Sequence, residues 1–317
     1  MSEKTSKKKG ALLGLYAQTS LHPGTGTALG TVDLPVQRER HTAWPVIGGT
    51  AIKGVLRDAC REARADGSGG RAKADKEDKE LVAAFGPPTD EADKHAGALS
   101  FTDARILAFP VRSLKGVFAW VSCAEVLDRL VRDAAMAGLR ADITIPRPEA
   151  SRASVAQGCP HLVGDSQLVL EEFDFERNGG DSGPVAEWIS RQLLPRSEAF
   201  KPSVERFNKS LVVLHSDDFT HFVKYTTEVT ARIKLNYDTK TVEKGALFYQ
   251  EFLPPETLFY SVVLANSARS GGANALDAAD VMSVLKRSLP DILQIGGDET
   301  TGKGYCATCL STYGGEQ

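Results

Sequence analysis

One acid stands apart in a stretch with neither helical nor strand period: Asp33, between Val32 and Leu34-Pro35. A loop carboxylate of this kind can take a proton from a hydroxyl or hold a divalent ion. Read alone, it is as readily a turn or capping residue. His22, in Leu21-His22-Pro23-Gly24, offers a general acid or a ligand-orienting group, or simply a packing histidine. Arg38, Arg40 and His41 follow, and the basic neighbours of His41 favour a phosphate contact over proton transfer. Next comes a predicted helix opening near Gly48-Gly49-Thr50. Ile52, Val55, Leu56, Ala59, Cys60 and Ala63 have the spacing of one buried helical face, and Lys53, Arg57, Arg61 and Arg64 fall on another. Serial cations, with free amides at the helix start near Gly48-Gly49, suit the phosphates of an extended polyanion. A solvated charged face is the plainer reading of the same stripe.

Two later stretches share that polarity. Gly296-Gly297-Asp298-Glu299-Thr300-Thr301-Gly302-Lys303-Gly304 lacks the Gly-Lys-Ser/Thr order of a P-loop and lies near the C-terminus, which argues against nucleotide hydrolysis. Its glycines allow backbone to approach phosphate and Lys303 adds charge; a plain tight hairpin is the alternative. A hairpin over Arg232 to Phe252 carries Arg232, Lys234, Tyr237, Lys240 and Lys244, with the acids Glu228 and Glu251 at its base. Cys306 and Cys309 lack a second Cys or His pair at suitable spacing, so buried cysteines are expected rather than structural zinc.

The elements that must position these groups follow an α+β order. A strand over 11–19 leads through the polar loop 20–47 into the first helix. Strands follow at 99–102 and 117–121, and then a helix with Ser122 and Glu125 as its capping box. After 200 come a strand at 211–214, a helix capped at Ser216, the hairpin, a strand at 257–265, a helix at 278–289, and strands flanking the glycine loop. This order predicts an antiparallel sheet with helices on one face, the ferredoxin-like or RRM-like class. The segments 66–95, charged and mobile, and 140–200, a lid or subdomain, read as insertions in one domain over 1–317. The chain has 317 residues, 42% hydrophobic and 25% charged, with a formal charge of −3, so any nucleic-acid binding must rest on local patches. Five cysteines suggest no disulfide framework, and a reducing cytoplasm is expected. Lys7-Lys8-Lys9 before a short apolar run resembles a signal peptide only superficially, and no membrane span is expected.

Four ordered blocks carry a family resemblance. They are Leu21 to Arg57, Gly97 to Arg105, Lys244 to Tyr249 and Ile295 to Gly304. Together they resemble the backbone subunit, fourth of the Cmr series, of type III-B CRISPR effector complexes in the RAMP superfamily. The resemblance implies a RAMP fold, and a filament-forming subunit that binds CRISPR guide RNA and cleaves complementary target RNA at regular intervals. It assigns catalysis to Asp33; from the residues themselves His22 is a secondary candidate, and Glu251 and Glu228, acids near the hairpin, are lesser candidates for reaching a neighbouring copy's site. It implies guide contacts from Arg38, Arg40, Lys53, Arg57 and the loop residues Gly296, Gly297, Thr300, Thr301, Gly302, Lys303 and Gly304. The hairpin 229–252 becomes a thumb that wedges between bases of the guide–target duplex. Also implied are a divalent ion such as Mg2+, held by Asp33 and partly by RNA, and cyclic-phosphate products. The expected partners are guide RNA, target RNA, further copies of the chain and other effector subunits. A catalytically silent RNA scaffold is the rival reading, and a phosphate-binding metabolic enzyme a more distant one.

Overall fold

The fold is built around β1 (Lys9–Ala17), in which every residue from Ala11 to Ala17 is buried. Alternate strand residues point to opposite faces, so this strand is covered on both sides. The computed structural model describes residues 8–28, 30–68, 76, 78–269 and 275–313. Lys7 of the basic tail and most of the charged run 69–77 lie outside the described residues.

Antiparallel neighbours of β1 are β13 (Leu258–Ala265) and β15 (Tyr305–Thr312), and β14 (Ile292–Gln294) closes that edge. In the other direction β13 pairs with β4 (Ala104–Arg112), which pairs with β5 (Phe118–Cys123). The short strands β2 (Val46–Ile47) and β3 (Leu99–Phe101) attach to β4 and β13. β5 then runs parallel to β10 (Leu211–Leu214), which pairs with β6 (Arg152–Val155). Beyond lie β9 (Phe173–Arg177), β8 (Gln167–Leu170) and β7 (Leu162–Val163). Segment 140–200, expected as a lid or subdomain, thus extends the main sheet through β6.

Among the described residues the helices are α1 (Gly49–Ser68), α2 (Lys79–Phe85), α3 (Ala124–Met136), α4 (Gly183–Leu193), α5 (Lys201–Ser210), α6 (Ser216–Tyr225) and α7 (Ala278–Ser288). Two glycines in β1 let helix ends reach the sheet. A Cβ on Gly10 would lie 2.5 Å from the Cα of Ala137, just past α3, and one on Gly14 only 2.1 Å from the carbonyl oxygen of Leu193, the last residue of α4. Both obstacles are backbone and cannot rotate away. Gly14→Ala is therefore expected to lower the unfolding free energy by about 3 kcal/mol or more, read as a lower urea midpoint. An unchanged midpoint would contradict this packing.

Both predicted helix caps differ from what forms. Ser122 is the penultimate residue of β5, its buried hydroxyl has no partner among the described residues, and α3 begins one residue later than a capping box requires, with Cys123 at the cap position. The Glu125 carboxylate instead accepts from the Ser216 hydroxyl. Ser216 lies inside α6, and its neighbour His215 is the cap, accepting from Asp217 N at 3.4 Å. β4 and α5 had no expectation at all. All five cysteines are free and buried.

Candidate active site

The loop after β1 is long, but it is not slack. Leu21 bridges Leu253, Gly24 bridges Val36, and Leu34 bridges Gln250 in parallel. Leu34 N donates to the Tyr249 carbonyl at 3.0 Å, and Glu251 N donates back to Leu34 at 3.0 Å. The Asp33 loop is thereby laid along β12 (Val242–Phe252), the second strand of a two-stranded ribbon with β11 (Glu228–Leu235). Asp33 is partly exposed, and its Oδ2 accepts from Tyr249 N at 2.7 Å. One carboxylate oxygen is aimed by a backbone amide, and Oδ1 has no hydrogen bond among the described residues. A carboxylate oriented through one oxygen and open at the other suits proton abstraction.

Glu251 does not face outward as expected. It is only 6% exposed, and its carboxylate accepts from Val36 N at 2.9 Å, Thr227 Oγ1 at 2.9 Å and Arg38 Nη2 at 2.5 Å. Arg38 is consumed in the same way. Its Nη1 donates to the carbonyls of Ala43 and Val223, each at 2.9 Å. Both residues proposed from sequence as functional groups are internal fasteners that tie the Asp33 loop to β12 and α6. His22 is buried as well. Its Nδ1 donates to the Glu251 carbonyl at 2.6 Å, and its ring packs 5.5 Å from Phe252. This is the packing reading, and it keeps His22 off the surface that carries Asp33.

The loop's far end is fixed by Glu39, which pairs with Arg129 of α3 at 2.8 Å. Burial pushes the Glu39 carboxyl up, but hydrogen bonds from Arg129 and Thr42 outweigh it and hold the group below the usual range. His41, mostly exposed, lies 3.2 Å from Arg129, and Arg40 is exposed.

The start of α1 offers fewer free amides than its glycines suggest. Gly49 N already donates to Asp103 Oδ1 at 2.7 Å, so the chain's own carboxylate stands where an anion was expected. Asp103 is 54 residues away in sequence. Farther along α1, Arg64 pairs with Asp78 at 2.8 Å and with Glu80 at 3.4 Å, and Arg61 with Asp58 at 3.1 Å. The lower half of the stripe is neutralised. Lys53 and Arg57 are half-buried neighbours; burial and then Arg57 hold the Lys53 ammonium below the usual lysine range.

The glycine loop lies beside the ribbon's base. Gly297 N donates to the His22 carbonyl at 3.1 Å, and a Cβ on Gly296 would lie 2.3 Å from that oxygen, so Gly296 is a close-approach glycine at φ 86°. Thr300, Thr301 and Gly302 are exposed, while Gly304 is buried. The Lys303 ammonium sits 5.2 Å above the Phe252 ring. Arg232 reaches the same loop from β11, 3.3 Å from Asp298.

The ribbon itself is two-faced. Val229, Ile233, Leu235, Val242, Leu247 and Tyr249 occupy register positions on one side and are 42–54% exposed. Arg232, Lys234, Phe248, Gln250 and Phe252 take the alternate positions. Sequence had suggested one cationic projection, but Lys234 is paired with Glu243 at 2.8 Å. At the tip Lys240 stacks 4.2 Å from the ring of Tyr237, which is 84% exposed. The Lys244 side chain lies outside the described residues, and Glu228 accepts from Ser20 Oγ at 2.8 Å.

Comparison with known proteins follows the same outline. The model of the RAMP superfamily matches residues 15–307. A CRISPR system Cmr endoribonuclease, Cmr4 of Pyrococcus furiosus, is 39% identical over 303 residues, which cover 95% of this chain and 96% of that protein. The CRISPR system CMR subunit Cmr4 of Saccharolobus solfataricus is 26% identical over 308 residues, 92% of each. Among solved structures, oligomeric Cmr4 from Pyrococcus furiosus superposes with a TM-score of 0.70 at 32% identity, covering 96% of this chain and 98% of that one. A type III-B Cmr-beta complex bound to cognate target RNA contains a chain with a TM-score of 0.69 at 19% identity, covering 95% and 96% of the two chains, a likeness of fold.

Proposed function

The chain belongs to the RAMP superfamily, and from that premise we propose that it is the RNA-cleaving backbone subunit of a type III-B CRISPR effector complex. The observation that carries this reading is the carboxylate of Asp33, aimed by Tyr249 N and lying beside a ribbon and a glycine loop that carry cations. In the proposed reaction Asp33 takes the proton of a target-strand 2′-hydroxyl. The freed oxygen attacks the adjacent phosphorus in line, and the bond from phosphorus to the 5′-oxygen breaks. The products are a 2′,3′-cyclic phosphate and a 5′-hydroxyl, whose proton comes from water because His22 is buried. Guide pairing supplies sequence choice. Copies stacked head to tail through a contact that does not close would each present one Asp33, giving cuts at a fixed interval.

A divalent ion such as Mg2+ finds little here to hold it by protein alone. Among the described residues no three His, Cys, Asp or Glu side chains gather as a ligand set. Asp33 can supply one ligand, and RNA phosphate and water would supply the others. Such an ion would neutralise charge at the scissile phosphate. Among the described residues no helix is long and apolar enough to cross a membrane.

Purification of the protein from its own cells tests the reading. A discrete small RNA should accompany it, and Lys53→Glu should lower RNA retention on the order of tenfold by placing repulsion where a phosphate contact is proposed. Retention equal to wild type would remove α1 from the interface, and recovery with no RNA would reject the reading.

A further inference from the structure

A loop that grips phosphate has little use for acids, yet Asp298 and Glu299 sit in its middle. Asp298 is not idle. Its Oδ2 accepts from Gln250 Nε2 at 2.6 Å and lies 3.3 Å from Arg232 Nη2. Arg232 and Lys303 both stand over the Phe252 ring, at 5.5 and 5.2 Å, while the Asp298 carboxylate itself meets one cation, Arg232, and one amide donor, Gln250. Asp298 also holds an unfavourable backbone, φ 65°, with its carbonyl accepting from Thr301 Oγ1 at 2.9 Å and Lys303 N at 3.2 Å. Left-handed geometry at a residue other than glycine persists where surrounding contacts impose it.

The arrangement is incomplete in one respect. Arg232 meets Asp298 through one nitrogen at a long distance, and its Nε is buried with no partner among the described residues. A guanidinium is best satisfied by two parallel bonds to one carboxylate or phosphate, and here it makes less than one good bond.

We infer that Arg232 and Gln250, with Lys303 alongside, form a binding subsite for one RNA backbone phosphate, and that Asp298 holds this subsite shut until RNA arrives. This rests on the proposed RNA-binding role. The carboxylate is a placeholder: when a phosphate enters, Arg232 leaves Asp298 for it, and the clasp between ribbon and glycine loop opens. No bond is made or broken beyond hydrogen bonds and ion pairs. Without RNA the placeholder keeps Arg232 from non-specific anions, at the expense of affinity.

Salt dependence reads this directly, because each phosphate neutralised in single-stranded RNA adds about 0.7 to the slope of log affinity against log salt. The full-length protein is titrated with an unstructured single-stranded RNA from 50 to 400 mM salt. Arg232→Gln should reduce the slope by about 0.7. Asp298→Asn keeps an acceptor for Gln250 and tolerates the left-handed backbone, so it should tighten binding severalfold with the wild-type slope. Asp298→Gly, suited to the same backbone, repeats the test if the first variant folds poorly. The double variant Arg232→Gln, Asp298→Asn should lose the gain. Wild-type slope in Arg232→Gln, or binding in both Asp298 variants no tighter than wild type, would overturn the subsite while leaving the proposed function in place. No RNA binding by the wild-type protein would overturn both.

Discussion

Asp33→Asn should abolish target cleavage, by about 10²- to 10⁴-fold, while leaving assembly, guide retention and thermal stability at wild-type values. The carboxamide is isosteric and can still accept the 2.7 Å bond from Tyr249 N. The loop therefore keeps its place, and only the basic oxygen is lost. Cleavage is measured on complementary RNA with the variant in the assembled complex, so that guide pairing is intact. Cutting at the wild-type rate would support the rival reading, in which the chain is an RNA scaffold and the chemistry belongs elsewhere.

Glu251→Ala should act differently, through the fold. Removing a carboxylate that satisfies Val36 N, Thr227 and Arg38 leaves a buried amide and a largely buried guanidinium short of acceptors. The expected loss is about 2–4 kcal/mol of stability. Cleavage should fall as well, by on the order of 10²-fold, since a loop displaced by about 1 Å misplaces the attacking group. The paired readout separates the roles: Asp33→Asn should lose activity with an unchanged melting temperature, and Glu251→Ala should lose both. A Glu251→Ala protein with wild-type stability and no cleavage would return Glu251 to the reaction itself. Wild-type values for both would show that the loop is anchored by its backbone bridges alone.

Local pattern was enough for most of the elements. The apolar run of β1, the facial spacing in α1 and α3, and the ribbon over 228–252 were all readable, because each depends on neighbours within a few residues. β4 was missed because Pro110 and the absence of alternation hide a strand buried at most positions. α5 was missed because Val204 and Phe207 are its only large apolar residues. The α+β class was accessible, whereas the contact between the two glycine-bearing loops, Gly297 N to the His22 carbonyl, came only with the fold.

The roles of charged residues were harder to read, for a physical reason. Arg38 and Glu251 are 213 positions apart and meet only when the loop is laid on β12, so each looked like a free functional group. Gly48-Gly49 looked like an anion site because its acid, Asp103, arrives from another segment. The Asp298 placeholder has the same character, since its partners Gln250 and Arg232 come from the ribbon. Sequence shows which side chains carry charge; the fold decides which of them are already spent.

The most direct measurement is a structure of the assembled complex with guide and an uncleavable target carrying a 2′-deoxy or 2′-methoxy group at the scissile position. An Asp33 carboxylate oxygen within about 3–4 Å of that 2′ position, with the attacking and leaving oxygens in line across the phosphorus, is the expected result. A target strand whose sugar–phosphate linkages all pass Asp33 beyond the reach of a hydrogen bond or a single bridging water would contradict it.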